Sequence, residues 1–268
     1  MDSLTTASLL GLVEGLTEFI PVSSSGHLII AGHLLDFLGP KADTFEVVIQ
    51  VGAILAVVLL YGKRFFSLLR PDSNAAFSGI RGLSLLLLTT FPAAFLGLCL
   101  HDFIKSLFTP LSVAAALVAG AVLMLAVERH VSRSWAVPSS RDLDHITALQ
   151  ALGIGCFQCL ALWPGFSRSA STIMGGMILG VQRKTAAEYS FIAAVPIIAG
   201  AAGYDLLRSL PLLTADDLTF FLAGSAAAFV SAVIAIRFFI KILGKYTLKA
   251  FAIYRLLLAI PVYLFLAG

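Results

Sequence analysis

The sequence predicts an all-α integral membrane protein built as an inverted-topology repeat, with six transmembrane helices and two re-entrant helical hairpins. Three observations predict it. Of 268 residues, 59% are hydrophobic and only 12% charged, with a mean hydropathy of +0.97, against about 25% charged residues in a soluble domain. Apolar runs at 45–61, 80–100, 111–127, 189–207, 218–240 and 249–266 each come near the ~20 residues a helical span needs. They are too continuous for the alternating ~10-residue segments of a membrane barrel. Two more apolar regions, 3–35 and 146–181, break near their middles, at Pro21–Gly26 and Pro164–Ser169.

Each half of a broken region is too short to span. Broken helices are tolerated at membrane depth where they are buried in protein or line a wet cavity. Both regions therefore read as hairpins that enter and leave on one side. The order is hairpin, three spans, hairpin, three spans. An odd number of spans inserts the second half upside down, the plan in which sites form near the midplane from discontinuous helices. The repeats are 1–127 and 146–268, joined by a solvated linker at 128–145 that carries mixed charges, Pro138 and serines. A sequence echo supports the repeat. Glu-x-x-x-Glu-Phe-Ile-Pro-Val-Ser-Ser-Ser, from Glu14, is set against Gln-Cys-Leu-Ala-Leu-Trp-Pro-Gly-Phe-Ser-Arg-Ser, from Gln158, with a one-residue gap. Glu46 and Glu188 head the first spans of the two halves at similar places.

Lysine and arginine give the orientation. Thirteen of the 18 fall in one set of loops: Lys63, Arg64, Arg70, Arg81, Arg129, Arg133, Arg141, Arg183, Lys184, Arg237, Lys241, Lys245 and Lys249. The opposite set has only Lys41, Lys105 and Arg208. Positive charge favours the cytoplasmic side, so both chain ends and the mouth of the first hairpin are expected outside. No cleavable signal peptide is expected, because Asp2 and no Lys or Arg precede the first apolar stretch. Cys99, Cys156 and Cys159 lie in apolar segments. The Cys156–Cys159 spacing lacks the βαβ context of a redox motif and reads as helix packing.

The chemistry concentrates in the two breaks. Glu14 and Glu18 stand four apart in apolar sequence, which on a helix puts both carboxylates on one face. A charged acid at membrane depth costs about 2.5–3.5 kcal/mol and marks a functional candidate. The pair is read as ligands of Mg²⁺ or Ca²⁺, which take oxygen donors and bridge protein to phosphate, or as a general acid and base. Ser23, Ser24, Ser25 and His27 follow Pro21. They cap a helix, or they supply a nucleophilic or phosphate-binding hydroxyl with His27 as acid/base; the residues leave both open. In the second break, Ser167, Ser169 and Thr172 supply hydroxyls at the start of a new helix, whose N-terminus is an anion site. Arg168 adds a planar fork that matches phosphate oxygens. Arg255, within the last span, is expected to snorkel to the interface or to pair with an acid. His33, His101, His130 and His145 fall near span ends or in loops and are assigned no chemistry.

These two stretches, Glu-Gly-Leu-Thr-Glu-Phe-Ile-Pro-Val-Ser-Ser-Ser-Gly-His-Leu and Pro-Gly-Phe-Ser-Arg-Ser, resemble the signatures of the bacterial undecaprenyl-diphosphate phosphatases, the bacitracin-resistance family. The resemblance extends over essentially the whole chain. It implies an inner-membrane enzyme that hydrolyses a C55 isoprenyl diphosphate to the monophosphate and phosphate, recycles the lipid carrier of cell-wall synthesis and confers bacitracin resistance. Carried over by motif, the acids are Glu14 and Glu18, the hydroxyl and imidazole group is Ser23, Ser24 and His27, and the phosphate group is Ser167, Arg168, Ser169 and Thr172. One position departs: Ala170 stands where the family pattern has glycine, and its methyl is expected to narrow the turn.

The expected reaction is a metal-assisted attack on the terminal phosphorus, by Ser24 or by an activated water, at the periplasmic face. The partners are the polyprenyl lipid substrate and membrane lipids. No nucleic acid is expected, and a homodimer is compatible with the sequence. A second class stays open: a polyprenyl-phosphate flippase or transporter would use the same repeats and the same cradle to bind cargo.

Overall fold

The computed structural model describes residues 3–70, 75–133, 138–209, 213–214, 217–243 and 245–267, and side chains only to residue 264. Residues 134–137 of the linker lie outside the described residues. The described chain is all helical. It runs α1 (Ser3–Thr17), α2 (Ser24–Leu34), α3 (Pro40–Leu60), α4 (Gly62–Leu69), α5 (Gly79–Cys99), α6 (His101–Ser106), α7 (Pro110–Arg133), α8 (Ala148–Gln158), α9 (Arg168–Ile178), α10 (Arg183–Ser209), α11 (Asp217–Leu243) and α12 (Lys249–Ala267), with 3-10 turns at Leu143–His145 and Cys159–Leu162.

Among the described residues, five helices are long and apolar enough to cross a membrane: α3, α5, α7, α10 and α11. With α12 they match the six apolar runs, extended at their ends where proline and polar residues take over. Pro40 and Pro110 open α3 and α7, the position where a missing N–H costs nothing. A capping box between Thr147 and Gln150 opens α8. Large apolar side chains such as Leu59, Leu87, Phe91, Ile234 and Phe238 face outward, as a lipid-facing wall requires. The short helices α4 and α6 were not legible as separate elements; both lie at the ends of spans.

The two broken regions form helical hairpins. α2, α8 and α9 have 11 residues each, about 16 Å of helix and roughly half the ~30 Å hydrocarbon core. α1 packs along α11, and α8 along α5; α3 packs on α11, and α10 on α5; α7 lies against α12, and α3 against α10. Small residues permit these close crossings. A Cβ on Gly11 would meet the Gly224 carbonyl, one on Gly52 the Ser225 carbonyl, and one on Gly155 the Thr89 carbonyl at 2.7 Å. Cys99, Cys156 and Cys159 are free thiols.

At the end of the molecule that holds the basic loops, buried Glu128 of α7 accepts two bonds from Arg183 of α10 (2.9 and 2.7 Å) and one from the Leu248 N–H that leads into α12 (2.7 Å). A paired and fully hydrogen-bonded carboxylate is the form in which a charge is tolerated inside. It ties three helices together away from the hairpin tips.

Candidate active site

The tips of the two hairpins touch. α1 ends at Thr17, and Glu18 stays one turn beyond Glu14 because its N–H donates to the Glu14 carbonyl (2.9 Å). The chain then turns through Pro21 and restarts at Ser23, which caps α2 by accepting the Gly26 N–H (3.3 Å). In the second hairpin, Ser167 caps α9 by accepting the Ala170 N–H (3.2 Å). The two caps share an unusual backbone: φ is 73° at Ser23 and 78° at Ser167. Non-glycine residues held there cost about 1–3 kcal/mol each and persist only where their surroundings over-determine them. These matching caps set Ser23 against Ser167, Ser24 against Arg168, Ser25 against Ser169 and Glu14 against Gln158 with no gap. The gapped register of the sequence echo is thereby corrected. It followed the prolines, which sit one place apart in the two turns.

Glu18 is the centre of the cluster. Its Oε1 accepts from Arg168 Nη2 (2.8 Å), and its Oε2 accepts from the Ser24 hydroxyl (2.7 Å). This ion pair joins the hairpins. The guanidinium also donates from Nη1 to the Ser190 carbonyl and hydroxyl (3.0 and 3.2 Å) and stands over the Phe19 ring. Its Nε is buried with no partner among the described residues. The Ser169 hydroxyl crosses to the Ile20 carbonyl (3.1 Å), a second link between tips, and lies 3.1 Å from the Ser167 hydroxyl. Thr172 is fully buried, and its hydroxyl meets Ser190 at 2.6 Å, so it braces the arginine from behind. Ser25 is half-buried in the first turn of α2, outside this bonded cluster. Ala170 fits without narrowing the turn: it is helical and fully buried, and the positive φ values fall at Gly165 and Ser167 instead.

His27 lies to one side of Glu18. Its Nδ1 is 2.7 Å from the Ser23 carbonyl, which can only accept, so Nδ1 carries a proton. In the neutral ring Nε2 then accepts from the Tyr254 hydroxyl, at 2.7 Å, and the two rings are nearly parallel. Both nitrogens are engaged, and neither is bonded to Ser24.

Glu14 is fully buried, and among the described residues neither of its oxygens has a hydrogen-bond partner. It lies within electrostatic range of Glu18, Glu46 and Arg168. Among the described residues no group of three or more His, Cys, Asp or Glu forms a metal cage. An orphaned carboxylate beside a second one nevertheless fits Mg²⁺ or Ca²⁺. Mg²⁺ in particular is commonly held by one or two carboxylates together with substrate phosphate oxygens.

Arg255 corrects the expectation placed on it. It does not snorkel, and among the described residues it meets no acid. It is 0% exposed, the largest fully buried side chain, and it donates to the Leu117, Ala116 and Gly165 carbonyls (3.3, 3.2 and 3.1 Å). The sequence reading missed Ser190 and Tyr254. A lone serine and a lone tyrosine inside apolar runs carry no local signal; only their neighbours in space reveal them.

Fold and cluster together define an all-α, multi-pass membrane protein with a buried acid, hydroxyl and guanidinium site where two broken helices meet. The chain belongs to the family described as Bacitracin resistance protein BacA, which it matches over residues 7–261. It is 59% identical over 269 residues to the undecaprenyl-diphosphatase of Desulfovibrio desulfuricans, covering 100% of both chains. It is 60% identical over 268 residues to that of Nitratidesulfovibrio vulgaris, again over 100% of both. With that of Maridesulfovibrio salexigens it shares 61% identity over 266 residues, 99% of each chain.

Proposed function

We propose that this chain hydrolyses undecaprenyl diphosphate to undecaprenyl phosphate and inorganic phosphate in the bacterial inner membrane, recycling the cell-wall lipid carrier. Full-length identity near 60% to undecaprenyl-diphosphatases supports the substrate. The observation that carries the mechanism is Glu18, which accepts the Ser24 proton with one oxygen and the Arg168 fork with the other. A nucleophile bonded to its base, with the base oriented by a third group, is the geometry of covalent catalysis.

In the first step Ser24 Oγ attacks the terminal phosphorus. Its proton passes to Glu18, and the bond to the bridging oxygen breaks to release undecaprenyl phosphate. Arg168 turns part of its fork from Glu18 to the phosphate oxygens as Glu18 is neutralised. Ser167, Ser169 and the capped N-termini of α2 and α9 receive the remaining charge. Water then attacks the phosphoserine. Glu18 returns its proton to the Ser24 oxygen and takes one from the water. Glu14 and Glu18 would hold Mg²⁺ or Ca²⁺, whose charge would draw electron density from the phosphoryl oxygens. Thr172 acts through Ser190. His27 holds the Ser23 carbonyl, and the role of base falls to Glu18 because both imidazole nitrogens are engaged. Ser24→Ala is therefore expected to be inactive, and wild-type enzyme quenched during turnover is expected to carry phosphate on Ser24. A variant that kept a measurable rate, with no phosphoenzyme in the wild type, would assign the attack to water.

The enzyme reading is tested against a flippase by pure protein in detergent with farnesyl diphosphate. Micelles have no two sides, so transport cannot release phosphate. Release is expected, with loss in EDTA and return on adding Mg²⁺ or Ca²⁺. No release with metal supplied would leave the cradle as a cargo site.

The six spans, two re-entrant hairpins and inverted repeats at 1–127 and 146–268 form part of the same proposal. The helix pairing supports it. Exchanging α1 with α8, α3 with α10, α5 with α11 and α7 with α12 maps the packing described above onto itself. The charge asymmetry supports an orientation in which the first hairpin opens to the periplasmic face and the second, inverted one to the cytoplasmic face. In a background with Cys99, Cys156 and Cys159 replaced by alanine, Ser139→Cys is expected to react on intact cells only with membrane-permeant reagents. Thr214→Cys, also exposed, is expected to react with impermeant ones. The reverse pattern would turn the molecule over.

A further inference from the structure

Arg255 is a charge without a counter-charge. Among the described residues it makes no ion pair, and its Nη1 is buried with no partner. Placing an unpaired guanidinium inside a membrane protein is costly, and what it holds is backbone. Two of its three acceptors are carbonyls of α7, Ala116 and Leu117, and the third is the carbonyl of Gly165. Gly165 lies in the break of the second hairpin, where the chain has left its helix and a carbonyl at membrane depth needs a donor.

The surroundings are built for this contact. A Cβ at Gly120 would overlap Arg255 Nη2 and come within 2.8 Å of Cζ, so the guanidinium occupies the space that a side chain would fill. Gly165 itself, at φ +93°, presses on α7, where a Cβ would stand 2.6 Å from the Val113 carbonyl. The Phe166 ring lies 5.9 Å from the guanidinium centre. The next residue is Ser167, the strained cap, and then comes Arg168. The neighbouring residue on α12, Tyr254, reaches the other hairpin: it bonds His27, which holds the carbonyl of Ser23, the other strained cap. Two adjacent side chains of one span thus reach both tips.

We infer that Arg255 is a positioning residue for hydrolysis: by gripping the Gly165 carbonyl against α7 it fixes the turn that aims Ser167, Arg168 and the N-terminus of α9 at the phosphate. The inference rests on the cradle reading of Ser167–Ser169. A misplacement of about 1 Å can cost on the order of 10²-fold in rate, so the effect of losing the grip should be large although Arg255 touches no substrate.

The test measures farnesyl diphosphate hydrolysis and inhibition by inorganic phosphate in purified Arg255→Lys, Arg255→Met, Gly120→Ala, the double variant Gly120→Ala/Arg255→Lys, and Arg168→Lys, with Tm recorded for each. Gly120→Ala leaves the arginine present and pushes it off its seat, so it stands in if the Arg255 variants fail to fold. A support that only stabilises would lower Tm and the active fraction, leaving KM and the phosphate inhibition constant of the surviving enzyme at their wild-type values. Displacement of the cradle is expected instead to raise both constants about tenfold or more in each Arg255 variant and in Gly120→Ala. The double variant is expected to be no worse than its poorer parent, because both changes act on one contact. Wild-type KM and phosphate inhibition in Gly120→Ala and the Arg255 variants, with Arg168→Lys raised, would overturn the positioning role and leave the cradle standing. Wild-type constants in Arg168→Lys as well would overturn the cradle and this inference with it.

Discussion

Arg168→Lys is expected to lower phosphate release from farnesyl diphosphate by at least about 10²-fold while the protein still inserts and purifies as the wild type does. Two readings of this arginine are at stake. In the first it balances Glu18, to which it donates at 2.8 Å. A lysine can do that, since an ammonium at the end of a flexible stem needs only to approach one carboxylate oxygen. In the second reading it must face three ways at once. Nη2 meets Glu18, Nη1 meets the Ser190 carbonyl and hydroxyl, and the plane rests over Phe19. Nε is left over, buried and without a partner. That fork can pass from Glu18 to two phosphate oxygens while Ser190 keeps it in place. A compact ammonium lacks the plane and the second donor direction. Losing one preorganised donor of this kind costs roughly 2.7–4 kcal/mol, or about 10²–10³ in rate. The measurement is kcat/KM for phosphate release beside Tm in detergent. A lysine variant within a few-fold of the wild type would make Arg168 a counter-ion and nothing more.

The breaks in the two hairpins were legible because their signals are local. Pro21 and Pro164 interrupt apolar runs, and Glu14, Glu18 and Arg168 are charges where hydrocarbon should exclude them. The proposed orientation rests on the same kind of local signal, because lysine and arginine at span ends act one by one. What the chain order concealed is all non-local. Ser190 lies one residue from Tyr189 and Phe191 in a run that reads as plain span, and its value comes from Arg168 on another helix. The expectation for Arg255 followed the rule that an arginine in a span finds water or an acid. It found three carbonyls instead, two on α7 and one that the broken helix leaves without a helical partner. Ser23 and Ser167 were expected as caps, but no rule for serine predicts φ values of 73° and 78°. Those follow from the hairpin tips being pinned from outside. The gapped echo failed for a related reason: the prolines sit one place apart in the two turns, whereas the fold matches the residues that start the next helix.

Glu14→Gln is expected to lose at least 10²-fold in phosphate release and to keep or raise Tm, a combination that a structural acid cannot give. The carboxylate is fully buried, and neither oxygen has a partner among the described residues. Charged and unmet, it destabilises the fold, by about 2.5–3.5 kcal/mol on the insertion scale for an acid at membrane depth. The amide removes that charge and keeps the shape. The scaffold already accepts an amide at the matching place. Gln158, set against Glu14 by the gapless register, is buried, donates to the Thr89 carbonyl at 3.1 Å and leaves its own Oε1 unpartnered. Glu18→Gln separates the two acids. It weakens the bond to Arg168 and takes from Ser24 its base, so Tm and rate are both expected to fall. If Glu14 holds Mg²⁺ or Ca²⁺, whatever rate remains in Glu14→Gln should also need far more metal for half-saturation, since an amide is a weaker ligand for a hard cation than a carboxylate. A Glu14→Gln enzyme with wild-type rate and unshifted metal dependence would place the metal elsewhere and leave Glu14 as an acid that the fold carries without use.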